Sequence, residues 1–112
     1  MKRPKGIHTN GVDTLVNRIL EDKPALLHIE HKYKIPNGEF GEIDIYYGRL
    51  INGHHKMVAI EYKSNDSPRN YLKAVQQLIK DEKYLKFRYH PYKIWLFYAT
   101  PTCIKKVGGK RK

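Results

Sequence analysis

Three residues of this 112-residue chain could do chemistry together: Asp44, Glu61 and Lys63. Asp44 lies in Gly41-Glu42-Ile43-Asp44-Ile45, and Glu61 follows seventeen positions later in Glu61-Tyr62-Lys63. Alternate residues of a strand share a face. Glu42 and Asp44 are therefore expected to point one way while Ile43 and Ile45 enter apolar packing. Glu61 and Lys63 share a face of the second segment, with Ile60 and Tyr62 on the other. If the pairing register sets Asp44 beside Glu61, carboxylates and an ammonium converge. Paired carboxylates suit Mg2+ or Mn2+, hard cations that keep several waters and are completed by a substrate phosphate. Such a cation polarises a phosphoryl oxygen and acidifies a bound water. A lysine two residues from one ligand can orient that water or neutralise charge building at phosphorus. The chemistry implied is phosphodiester hydrolysis. The plainer alternative makes Glu61 and Lys63 cross-strand charge partners on a solvated hairpin.

The elements that must position these residues are legible in outline. Val12, Leu15, Val16, Ile19 and Leu20 recur at helical spacing, with Asn10 as a cap and Pro24 closing the helix. Residues 25–35 read as extended, with Leu27, Ile29, His31 and Tyr33 on one side, and Pro36-Asn37-Gly38 signals a turn. Residues 42–47 and 57–63 read as strands, and Asn52-Gly53 between them is a strong hairpin signal, so the two pair antiparallel. Ser67 caps a second helix with Pro68 in its first position. Tyr71, Leu72, Val75, Leu78, Ile79 and Leu85 form its apolar stripe, and Lys73, Gln77, Lys80 and Tyr84 lie on a mostly polar opposite face. His90-Pro91 ends the helix, and residues 92–100 have the composition of a buried central strand. The expected order is α-β-β-β-α-β in one domain spanning residues 1–112, with residues 1–10 and 105–112 as flexible basic tails.

Gly41-Glu42-Ile43-Asp44-Ile45 followed at this distance by Glu61-Tyr62-Lys63, and then by a helix, resembles the PD-(D/E)XK nuclease superfamily. The Gly-x-x-Asp half looks like RecB and Cas4-type nucleases. The Gly-Glu-Ile-Asp-Ile form with Glu-x-Lys ending an apolar strand is similar to archaeal Holliday-junction resolvases. The resemblance covers about residues 12–100. It implies an α/β, restriction-endonuclease-like core with a mixed central sheet flanked by helices. It implies Asp44 and Glu61 as metal ligands, the Tyr62 carbonyl as a further ligand, Lys63 as catalytic lysine, and Mg2+ (or Mn2+) as cofactor. The family often carries an acid on the first helix. Asp13 is the favoured candidate over Glu21, with Glu30 on the first strand as another, and a first-turn acid also suits the helix dipole. Ile43 stands where the family usually has Pro. The RecB-type Gln-x-x-x-Tyr motif is absent as written, with Gln77 (or Gln76) and Tyr84 as a loose substitute.

Charge points to the partner. Lys and Arg number 22 against 11 Asp and Glu, a net charge of +11. This excess on a small body favours a polyanion, DNA first, although lysine-rich surfaces also serve solubility. Lys73 and Lys80 on the second helix are candidate DNA contacts, suited to phosphates rather than bases. One cysteine, Cys103, excludes an internal disulfide and a cysteine-ligated iron–sulfur cluster. No apolar run approaches membrane-spanning length, and no secretory h-region follows the basic N-terminus, so the expectation is a soluble cytoplasmic protein without a membrane partner. The sequence reading is a metal-dependent DNA nuclease, structure-selective in the manner of a junction resolvase. A homodimer would supply the two active sites that junction resolution needs, with Tyr46, Tyr47, Tyr71 and Trp95 as candidates for its face. The alternatives are an end-processing nuclease of the RecB and Cas4 kind and a non-catalytic basic nucleic-acid-binding protein.

Overall fold

The structure, a computed structural model, describes residues 7–90 and 92–108, with the side chains of 7–10 and 51 outside the description. The chain runs α1 (Ile7–Glu21), β1 (Leu26–Lys34), β2 (Phe40–Ile51), β3 (His54–Tyr62), α2 (Pro68–Tyr89), β4 (Lys93–Thr100) and β5 (Cys103–Val107). The five strands form one mixed sheet in sequence order. β1, β2 and β3 pair antiparallel, β3 and β4 pair parallel through the α2 crossover, and β5 returns antiparallel along β4. Val12, Val16 and Ile19 of α1 pack with Ile45, Val58, Ile60 and Tyr62 on one face of the sheet. Ala74, Leu78, Tyr84 and Leu85 of α2 pack with Tyr33, Ile43, Tyr46, Ala59, Leu96 and Tyr98 on the other. The fold is therefore α/β, a five-stranded mixed sheet with a helix on each face.

Two local signals of the sequence have their expected geometry. Asn52 and Gly53 both take positive φ, 51° and 78°, in a two-residue turn between the paired residues Ile51 and His54. That turn matches the right-handed twist of its strands and fixes their register. Ser67 caps α2 by accepting the Asn70 N–H at 3.1 Å, with Pro68 opening the helix.

Four expectations need correction. Helix α1 begins at Ile7, so residues 7–10 are helical rather than part of an arm, and Asn10 lies inside the helix; residues 1–6 lie outside the described residues. The expected basic tail from residue 105 overlaps β5, which adds a strand to the expected order; residues 109–112 lie outside the described residues. Its lysines are tolerable there because an edge strand leaves them in water. Helix α2 buries Leu78 and Leu85 of its expected stripe, with Tyr71 and Val75 against the core, but Leu72 and Ile79 are exposed, whereas Tyr84 is buried. Tyr46 is also buried, its hydroxyl 3.0 Å from that of Tyr89, and cannot contribute to a dimer face.

The period of two breaks in β1 and β2 at the same level. Leu27 and Ile29 pack on the α1 side, but His31 and Tyr33 turn to the α2 side. Glu30 between them takes φ 52°, a left-handed conformation that a non-glycine residue adopts only at a cost. On β2, Ile45 belongs to the α1 cluster and Ile43 to the α2 cluster. Both isoleucines are thus buried, but on opposite faces. Glu30 and Asp44 occupy the level where each strand changes side.

Candidate functional site

The site lies where β2 parts from β3. The last paired residues are Ile45 and Ile60, and one further step along that register would set Asp44 opposite Glu61. Asp44 turns out of the ladder instead, and its Oδ2 accepts the backbone N–H of Tyr62 at 2.8 Å. This bond holds the Asp44 carboxylate against the Glu61-Tyr62-Lys63 segment. The Lys63 Nζ stands 3.9 Å from Glu61 Oε2. The register thus gathers Asp44, Glu61 and Lys63 at the end of β3, on the side where α2 packs.

Glu61 is 7% exposed, and its Oε1 has no hydrogen-bond partner. Burial, and then the negative charges of Asp44 and Asp81, push its carboxyl up to about 9, against a weaker downward pull from Lys63. One ammonium at 3.9 Å does not offset a buried carboxylate beside two other acids. The charged form of Glu61 is therefore only partly balanced, by Lys63 alone, the condition a divalent cation would relieve.

The sequence reading missed Asp81. It sits on α2 with 0% exposure. Its Oδ1 accepts the Tyr33 hydroxyl at 2.8 Å and Gln77 Nε2 at 2.8 Å, and its Oδ2 is unpartnered. Burial raises its carboxyl to about 7 against the opposing pull of the two hydrogen bonds. Burial raises the Tyr33 phenol as well, helped by the Asp81 hydrogen bond. A signal was available: Asp81 falls at helical spacing with Ala74, Leu78 and Leu85, all fully buried. An acid inside an apolar stripe is not a solvated one.

Gln77 reaches both Asp81 and the Glu42 carbonyl, the latter at 3.1 Å, and so ties α2 to β2 two residues from Asp44. Glu42 itself is exposed. Lys73 and Lys80 lie one helical turn on either side of Gln77, exposed and half-buried respectively, and therefore flank the site on α2. Tyr84 serves the packing beneath: its hydroxyl is 3.0 Å from His31 Nε2, and its ring stacks on Tyr33 with centroids 4.5 Å apart. Asp13 belongs to α1, which covers the opposite face of the sheet. The charges acting most strongly on Glu61 are those of Asp44, Asp81, Lys63 and Glu42. Asp13 is not among them.

Gly41 has a geometric reason to be glycine. It pairs with Tyr33 across β1 and β2, and a Cβ there would overlap the Tyr33 hydroxyl and ring. The bare backbone lets Tyr33 lie flat and reach Asp81. Gly41→Ala is expected to cost about 1–3 kcal/mol, as overpacking of a tight core does, read as a lowered midpoint in urea unfolding. An unchanged midpoint would show that Tyr33 moves aside freely.

Among the described residues, no three His, Cys, Asp or Glu side chains form a ready-made metal cage. Asp44 and Glu61 are the two carboxylates suited to a cation completed by waters and substrate oxygens. No helix of the described residues is long and apolar enough to cross a membrane. The chain matches no protein-family model and no curated protein.

Proposed function

We propose that this protein is a metal-dependent nuclease that hydrolyses phosphodiester bonds in DNA, on a core of the restriction-endonuclease type. The observation that carries this reading is the convergence of Asp44 and Lys63 on a buried Glu61 whose Oε1 has no hydrogen-bond partner. A protein that only bound nucleic acid would gain nothing from burying acids at its binding face, because they would repel the phosphates.

In this reading the Asp44 and Glu61 carboxylates, with the Tyr62 carbonyl, hold one Mg2+ or Mn2+. The bound cation supplies Lewis-acid polarisation of the scissile phosphate and acidification of a water. The Tyr62 N–H fixes the Asp44 carboxylate, so that ligand is oriented before substrate arrives. Lys63 places its ammonium where negative charge builds during attack at phosphorus. Gln77 keeps α2 docked on the β2 backbone beside the site. Lys73 and Lys80 attract and position the phosphate backbone without reading bases. So small a core leaves little surface for base recognition, which favours a structural target such as a junction or branch. A homodimer would supply the second active site that junction resolution requires.

The test is cleavage of linear duplex, single-stranded and four-way-junction DNA with Mg2+ or Mn2+ and with EDTA. Cleavage that needs the cation and is fastest on the junction supports the reading in full. Fastest cleavage at single-stranded ends favours an end-processing nuclease. Salt-sensitive binding with no cleavage of any substrate overturns the enzyme and leaves a basic nucleic-acid binder.

A further inference from the structure

Among the described residues, two carboxylate oxygens are buried with no hydrogen-bond partner, Glu61 Oε1 on β3 and Asp81 Oδ2 on α2. Their residues are 7% and 0% exposed. A buried carboxylate left partly unsatisfied is among the costliest arrangements a small domain can carry. Structural buried acids are normally matched by a cation or by a full set of donors. Asp81 has two donors, Tyr33 and Gln77, and both go to the same oxygen, Oδ1. Among the described residues no Lys or Arg forms a salt bridge with it, and the Lys80 charge acts on it only weakly.

The placement of this acid is not incidental. Asp81 lies close enough to Glu61 for its charge to act there, and the charge of Asp44 acts in turn on Asp81. Three acids from three successive elements, β2, β3 and α2, thus share one low-dielectric region. Tyr33 and Gln77 fix the Asp81 side chain by one oxygen, and Gln77 also grips the strand that carries Asp44. Such a carboxylate is oriented, with its second oxygen left over.

We propose that Asp81 is a third acid of the cation site, with Oδ2 as its ligating atom. The inference rests on Asp44 and Glu61 being cation ligands and adds to them a residue from α2. The metal-free carboxylates do not form a closed cage, so binding would have to draw Glu61 and Asp81 together as both lose their protons. The occupant is a divalent cation with oxygen ligands, Mg2+ or Mn2+.

The experiment is titration of the full chain with Mn2+ at pH 8, following the free ion by electron paramagnetic resonance, for wild type, Asp44→Asn, Glu61→Gln, Asp81→Asn and, as a charge control on α2, Glu82→Gln. Asp81→Asn is expected to weaken Mn2+ binding about 10–100-fold. Its metal-free melting temperature should be unchanged or higher, since Asn keeps the oxygen that Tyr33 and Gln77 need. Glu82→Gln should bind as wild type does. A second measurement needs no variant to fold: in wild-type protein carrying 13C-labelled aspartate, Mg2+ should move the Asp81 carboxyl resonance together with that of Asp44. Wild-type affinity in Asp81→Asn, alongside loss in Asp44→Asn and Glu61→Gln, would overturn the role of Asp81 and leave the two-carboxylate site standing. An Asp81 resonance that stays still while that of Asp44 moves would do the same. No Mn2+ uptake by wild type at millimolar ion would overturn both.

Discussion

Glu61→Gln should abolish cation-dependent cleavage and at the same time stabilise the metal-free protein. The two effects share one cause. The buried carboxylate is costly to ionise in the fold without a cation, and the ionised form is the one that binds it. The sign follows from the direction of the shift. Burial and the neighbouring acids push the carboxyl from its ordinary 4.5 up to about 9 in the fold. Between those limits the folded state holds more protons than the unfolded state, so this group's contribution to stability falls as pH rises. The stability advantage of Glu61→Gln over wild type should be small at pH 4.5 and grow to as much as about 3 kcal/mol at pH 7, at 1.36 kcal/mol per unit. Urea unfolding across that range in EDTA measures it. Saturating Mg2+ should narrow the gap by stabilising only the protein that binds it. A Glu61→Gln protein less stable than wild type at pH 8 would mean that the carboxylate is satisfied in the fold, and the argument for a missing cation would fail.

Lys63→Ala should separate chemistry from cation binding. Its ammonium lies 3.9 Å from Glu61 Oε2, and in this reading it acts on the charge that develops at phosphorus. Cleavage should fall by about 10²–10³, the usual cost of removing one preorganised electrostatic contact in a water-poor site. Mn2+ affinity should change only a few-fold, because the ligating oxygens remain. The two are measured as kcat under saturating cation and as a Mn2+ titration. Equal losses in both would assign Lys63 to supporting Glu61 rather than to the reaction.

The parts of the site that depend on local rules were legible in the sequence. Asn52-Gly53 permits two successive positive φ angles, which fixes a two-residue turn. The turn fixes the register, and the register brings Asp44 to the level of Glu61. Ser67-Pro68 marks the start of α2 through capping chemistry alone. What escaped notice depends on tertiary context. The side change at Glu30 and Asp44 violates the period of two from which strand faces are read, and nothing in the residue types announces it. On α2, Leu78 and Leu85 are buried as their spacing predicts, but hydrophobicity alone also assigns Leu72 and Ile79 to the core, where packing instead places Ala74 and Asp81. Asp81 went with that error, since an acid on a charged helix is usually solvated. Strand β5 was read as tail because its lysines dominate a five-residue segment, and only Val107 in it is buried.

The most direct test of the central claim sets wild type beside Glu61→Gln and Lys63→Ala on four-way-junction and linear duplex DNA, with Mg2+, Mn2+ or EDTA, after circular dichroism has shown all three folded. The account predicts cleavage by wild type with either cation, none in EDTA, and loss in both folded variants with DNA binding retained. Cleavage that persists in Glu61→Gln, or folded wild type that binds every substrate and cuts none, would contradict it.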